Sequence, residues 1–249
     1  MNDSFNQSVR PINLSQTAAY NAGLRSYMLS IYNYMGAALV ITGIVAMLAS
    51  NSQSFLSAMY VMEGSAIKGM KPLAWLVMLA PLGFAMALGF GLQRMSLAAA
   101  QASFWGFAVV MGLSLSSIFL TYTGTSVARV FFITAATFGS MSLYGYTTKR
   151  DLSGFGSFLM MGVIGLVIAS LVNIFLQSSG LQFALSVLGV LVFTGLTAYD
   201  TQKLKHLYSE MTAEGDKMAK TIIMGALILY LDFINIFMSL MQLLGDRRQ

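Results

Sequence analysis

Two aspartates interrupt the apolar C-terminal part of the chain. Asp200 stands in VLVFTGLTAYDTQKLKHLY, about a turn before Lys203 and Lys205, and Asp232 lies near the middle of MGALILYLDFINIFMSLMQLLG. An ionised carboxylate in the middle of hydrocarbon costs at least about 2.5–3.5 kcal/mol, so Asp232 is expected to face protein or water. The residues around it agree, because Asp232, Asn235, Ser239 and Gln242 fall on one face of a helix as a polar stripe. Thr194, Thr197 and Thr201 give the Asp200 segment a similar, weaker stripe. If the two carboxyls meet across a helix interface, burial and mutual repulsion both disfavour double ionisation, and the pair becomes a pH-sensitive switch. The same pair offers hard oxygen ligands of the kind a divalent cation such as calcium prefers, which makes Asp200 and Asp232 candidate transient metal ligands. The alternative has Asp200 capping or pairing with Lys203 or Lys205 at the membrane surface and Asp232 bonding neighbouring hydroxyls.

Arg94 is the third candidate. It stands alone in a short turn, on the side of the membrane expected for Asp200, where a guanidinium can bridge one or both carboxylates bidentately and latch a closed state. Its alternative is a topological anchor. Lys149, Arg150 and Asp151 read as a short charged turn. The chain has no cysteine, which excludes thiolate catalysis and Cys-based metal sites, and its single His206 cannot build a zinc site alone. No nucleotide motif, catalytic constellation or cofactor site is expected. The 14 basic residues are scattered between apolar runs and form no patch suited to nucleic acid.

The segments that must position these groups are membrane spans. The chain is 57% hydrophobic and only 9% charged, against roughly 25% charged residues in a soluble domain. Apolar windows near 28–50, 72–93, 97–120, 127–147, 155–177, 181–202 and 219–244 are each long enough to cross a core of about 30 Å. They are too long for barrel strands, so an all-α, polytopic bundle of seven transmembrane helices is expected in the lipid bilayer. Residues 1–27 are polar, do not read as a cleaved signal peptide, and are expected to form a cytoplasmic tail before a domain spanning 28–249. The segment 51–71 is the longest loop. Nine of the 14 basic residues gather on the side of the N-terminus (Arg10, Arg25, Arg94, Lys149, Arg150, Lys203, Lys205, Lys217, Lys220), which predicts the N-terminus inside and the C-terminus outside. Small residues at four-residue spacing, Gly83/Ala87/Gly91, Ala85/Gly89, Ala135/Gly139 and Gly165/Ala169, are expected to mark helix contacts.

The stretches MSLYGYTTKRDLSGFG (141–156), GLTAYDTQKLK (195–205) and ALILYLDFINIF (226–237) together resemble the bacterial branch of the BAX inhibitor-1 family, also called the transmembrane BAX inhibitor motif family. The resemblance runs from about residue 25 to the C-terminus. It implies six helices in two three-helix layers around a central hydrophobic seventh, in a bacterial inner membrane. It also implies a pH-regulated calcium leak governed by a di-aspartyl sensor, whose positions match Asp200 and Asp232, with a bonded arginine matching Arg94. Two other functions compete. Paired intramembrane aspartates also occur in aspartyl proteases of the membrane, and Tyr199-Asp200 fits half of that signature, but Tyr230-Leu231-Asp232 departs from the GxGD of the other half. The third reading is an interaction protein that uses its polar tail to modulate a membrane protease or a stress response without transport. Ion selectivity and oligomeric state are not legible in any motif.

Overall fold

In hydrocarbon each backbone N–H and C=O must find a partner within its own segment, and the chain meets that demand with long helices. The computed structural model describes residues 14–63, 66–210 and 215–248. Residues 1–13 of the polar tail, with Arg10, lie outside the described residues, as does Gln249. The elements run α1 (Leu14–Ser50), α2 (Gln53–Met59), β1 (Tyr60–Glu63), β2 (Ala66–Met70), α3 (Pro72–Gly91), α4 (Leu97–Thr121), α5 (Gly124–Thr147), α6 (Ser153–Leu176), α7 (Ser179–Glu210) and α8 (Asp216–Leu244). All but α2 among these helices are long and apolar enough to cross a membrane, which gives the seven spans expected.

The turns are cut by local chemistry. Pro72 opens α3 at a position where its missing N–H costs nothing. Ser96 and Thr123 cap α4 and α5 through their hydroxyls, which accept from the N–H groups of Ala99 and Ser126. Gln177, in the left-handed region at φ 50°, ends α6. Before α6, the exposed Asp151 carboxyl accepts a hydrogen bond from the Ser153 N–H, and Ser153 holds it below the usual carboxylate range.

Two boundaries differ from the sequence expectation. The segment 51–71 is not a plain loop: it folds as α2 and an antiparallel hairpin of β1 and β2. Helix α1 begins inside the segment read as tail, and α7 runs on to Glu210. The two extensions support each other, since Tyr208 of α7 packs against the rings of Tyr20 and Tyr27 at centroid distances of 5.5 and 5.2 Å. Aromatic burial outweighs the polar composition there.

Helix α8 sits in the middle. In its most apolar stretch 61% of the residues are buried inside the protein, against 11–33% for the other six spans. It packs against α1, α3, α4, α5 and α7, while α6 leans on α7 and turns most of its surface to lipid. Leu229, Tyr230 and Ile236 of α8 are fully buried, with Phe104 and Phe107 of α4 and Ile31 of α1 around them. The C-terminal segment folds back onto the α4–α5 turn. Thr123 N–H donates to Asp246 O at 3.0 Å, Arg248 N–H to Thr121 O at 2.9 Å, and Arg129 pairs with Asp246 at 2.9 Å. That turn, the α6–α7 turn and the C-terminus thus share one end of the bundle, called here the C-terminal face.

The small-residue spacings mark contacts only in part, at Ala85 and Ala135, which pack against the core. A Cβ added at Gly83, Gly89, Gly139 or Gly165 meets no atom within 4 Å. In a chain with 23 glycines the spacing recurs by composition alone. The buried face of α3 is set instead by Ala74, Pro81 and Leu88, at seven-residue intervals. The close approaches lie elsewhere: Gly112 of α4 rides against Thr42 O and Val45 of α1, and Gly145 of α5 lies against the backbone of Ala198 in α7.

Candidate functional site

The contact at Gly145 fixes the stretch of α7 that carries Asp200. Gly156 of α6 leaves room for the Tyr199 ring on the other side. Just beyond, Gln202 ties α7 to the α5–α6 loop, accepting from Leu152 N–H at 2.9 Å and donating to Arg150 O at 2.7 Å. Lys205 donates to Tyr146 O at 2.8 Å. Four residues before it, Thr201 is fully buried and joins a hydroxyl chain with Ser142 (3.0 Å) and Tyr32 (2.5 Å) that pins α7 to α5 and α1.

Between these anchors Asp200 faces Asp232 across the α7–α8 interface, the two carboxyls within hydrogen-bonding reach. Both are buried, at 9% and 5% exposure. No N–H or hydroxyl among the described residues donates to Oδ2 of Asp232, which is sealed from solvent. A hydrogen bond between two carboxyls needs an O–H, so the two can bond directly only when one of them carries a proton. The ammonium of Lys203, one turn further along α7, sits 5.8 Å from the centre of the Tyr199 ring.

This arrangement can work as a switch. Two like unit charges about 4 Å apart repel by roughly 4 kcal/mol at an effective dielectric of about 20. That exceeds the roughly 1–3 kcal/mol by which coupled sites usually bias one another, so two charges here would bear strongly on the packing of α7 against α8. As a metal centre the pair is thin. Among the described residues no group of three or more His, Cys, Asp or Glu side chains comes together. Calcium takes about 6–8 oxygens, so two carboxylates offer a passing cation a contact and not a resident site.

The sequence candidates therefore divide. Asp200 and Asp232 meet. Arg94 is exposed in the turn between α3 and α4, with its backbone N–H on Gly91 O at 2.9 Å, and makes no ion pair among the described residues. Asn235, Ser239 and Gln242 line a groove between α6, α7 and α8. Sequence reasoning missed their partners: Gln182 and Ser186 of α7 and Asn173 of α6, which bond to Gln242 or to each other. The signal was present as amides near the ends of apolar runs, but nothing in the spacing says that three helices aim them at one place. It also missed Thr42, whose hydroxyl bonds Tyr230 at 2.7 Å in the core.

A family model described as "Inhibitor of apoptosis-promoting Bax1" matches residues 24–249. Full-length similarity runs to bacterial proteins. The chain is 44% identical over 228 residues to the inner membrane protein YbhL of Escherichia coli K12, covering 91% of this chain and 94% of that one. It is 48% identical over 235 residues to an uncharacterized protein of Rickettsia prowazekii (94% and 95% covered). An uncharacterized protein of Caulobacter vibrioides is 47% identical over 229 residues, with 92% of each chain covered.

Proposed function

We start from the fact that this chain belongs to the Bax1-I family, and propose that it is an inner-membrane protein through which cations, calcium foremost, leak passively in a pH-dependent way. The observation that carries the reading is the buried Asp200–Asp232 pair, two carboxyls side by side between the central helix and α7. Protonated, the pair closes the α7–α8 seam. Deprotonated, it repels, and the same oxygens become attractive to a cation. The bistable element is the seam, and pH biases it. Arg94 is assigned the latch role in a state where the α3–α4 turn swings toward the pair. No proteolysis is assigned, since the Asp232 segment lacks the required glycines.

The test is calcium flux into vesicles reconstituted with the protein, read with a trapped indicator across a pH series. The unmodified protein is expected to pass calcium at rates that change with pH. Asp232→Asn and Asp200→Asn, which keep the volume and remove the titrating group, are expected to flatten that profile. Identical fluxes from all three proteins at every pH would sink the proposal.

A further inference from the structure

The open groove lined by Asn235, Ser239 and Gln242 on one side and by Val167, Leu171 and Ile174 of α6 on the other has a volume of about 330 Å³. A second cavity of about 410 Å³ adjoins it toward the C-terminal face, and Gln182 and Gln242 line both. Those two amides are hydrogen-bonded to each other. Gln242 Oε1 also accepts from Ser186 Oγ at 2.6 Å, and Asn173 Nδ2 donates to Gln182 Oε1 at 3.1 Å. The acceptor oxygens at this waist are thus occupied from within the protein. Beyond it the Asn235 amide lines the groove and makes no hydrogen bond among the described residues. Only water or an ion can satisfy a donor–acceptor group placed there, because lipid tails cannot. The lining is mostly apolar, with its amides and hydroxyls gathered on the α7 and α8 side, and the space is large enough for several waters. From Asp232 to Gln242 the polar stripe climbs about 15 Å, half of a hydrocarbon core of about 30 Å.

One charge faces this space. Arg247, on the segment folded back over the α4–α5 turn, lines the upper cavity and has no ion-pair partner among the described residues, its neighbour Asp246 being taken by Arg129. A single fixed charge at a mouth walled by low-dielectric protein and lipid acts strongly on what enters.

We propose that the two cavities form one water-filled vestibule for small hydrated cations, open at the C-terminal face and ending one turn of α8 short of Asp232. The Gln182–Gln242 pair is its constriction, and Arg247, whose positive charge opposes cation entry, is the barrier that limits it. The proposal deepens the cation-pathway reading and rests on it for the identity of the permeant species, but the vestibule can be probed without any flux.

Because the chain has no cysteine, single-cysteine variants need no cleared background. Reconstituted protein, its sidedness fixed by labelling Arg248→Cys, is treated from the C-terminal side with membrane-impermeant thiol reagents carrying either a trimethylammonium or a sulfonate group. Ser239→Cys and Asn235→Cys are both expected to react, so that one poorly folded variant does not decide the matter. Ile168→Cys, 57% exposed on α6 toward lipid, is expected to stay unreactive. Adding Arg247→Gln to Ser239→Cys is expected to raise the cationic-to-anionic ratio of labelling rates several-fold. Two unreactive groove positions would overturn the vestibule, and an unchanged ratio would overturn the barrier. Labelling as expected in a protein that passes no calcium at any pH leaves the vestibule standing and removes the leak.

Discussion

Tyr230 and Asp232 stand two positions apart on α8 and are buried by opposite chemistries. The Tyr230 ring packs edge-on against Phe107 at 5.2 Å, and its hydroxyl finds Thr42, which in turn donates to Ala108 O at 2.9 Å. Every polar atom of that set is satisfied by neutral groups. Tyr230→Phe keeps the ring and leaves Thr42 bonded to Ala108, so the expected loss is only about 0.5–1 kcal/mol, measured by denaturation in detergent micelles. The flux profile should stay as it was. Oδ2 of Asp232 has no such neutral donor among the described residues, and substitution of Asp232 should alter the profile. The two aspartates were legible because a charge in an apolar run is costly and therefore conspicuous. Gln182, Asn173 and Arg247 were not, because an amide or a guanidinium near a span end is ordinary until the fold brings three of them to one groove.

Among the helices, glycine works where a neighbouring backbone leaves no choice. At Gly145 an added Cβ would lie 2.9 Å from the Ala198 Cα of α7. Gly145→Ala must therefore push α5 and α7 apart beside Asp200, at a cost of about 1–3 kcal/mol. It should lower the thermal midpoint and disturb the pH response together. Gly139→Ala, six residues earlier on the same helix, adds its methyl to open space and should leave the midpoint unchanged or slightly higher, since alanine is the better helix former. Equal midpoints for the two variants would show that the α5–α7 contact is looser than the structure has it. The spans themselves were plain from their apolar length. Which face of each span meets protein was not, because the four-residue spacing of small residues is satisfied equally by sides that look at lipid, and facing is settled only by the neighbours.

Seven crossings put the start of α1 and the end of α8 at opposite faces of the bundle. Impermeant labelling of Lys149→Cys and Arg248→Cys should accordingly never succeed from the same side, and the distribution of basic residues predicts that Lys149→Cys is labelled from inside. Labelling of both from one side would overturn the seven-span topology; labelling of Lys149→Cys from outside would reverse only the orientation. The central position of α8 was implied by family resemblance and not by its composition, for α6 is the more apolar of the two. That central helix is also the last of the seven to leave the ribosome. Six helices must enter the bilayer around a space whose occupant has not yet been synthesised, with Asp200 and Thr42 lacking the groups they will bond. A nascent chain stalled before Asp216 would therefore present bare intramembrane polar groups of the kind that mark an unfinished protein for quality-control proteolysis.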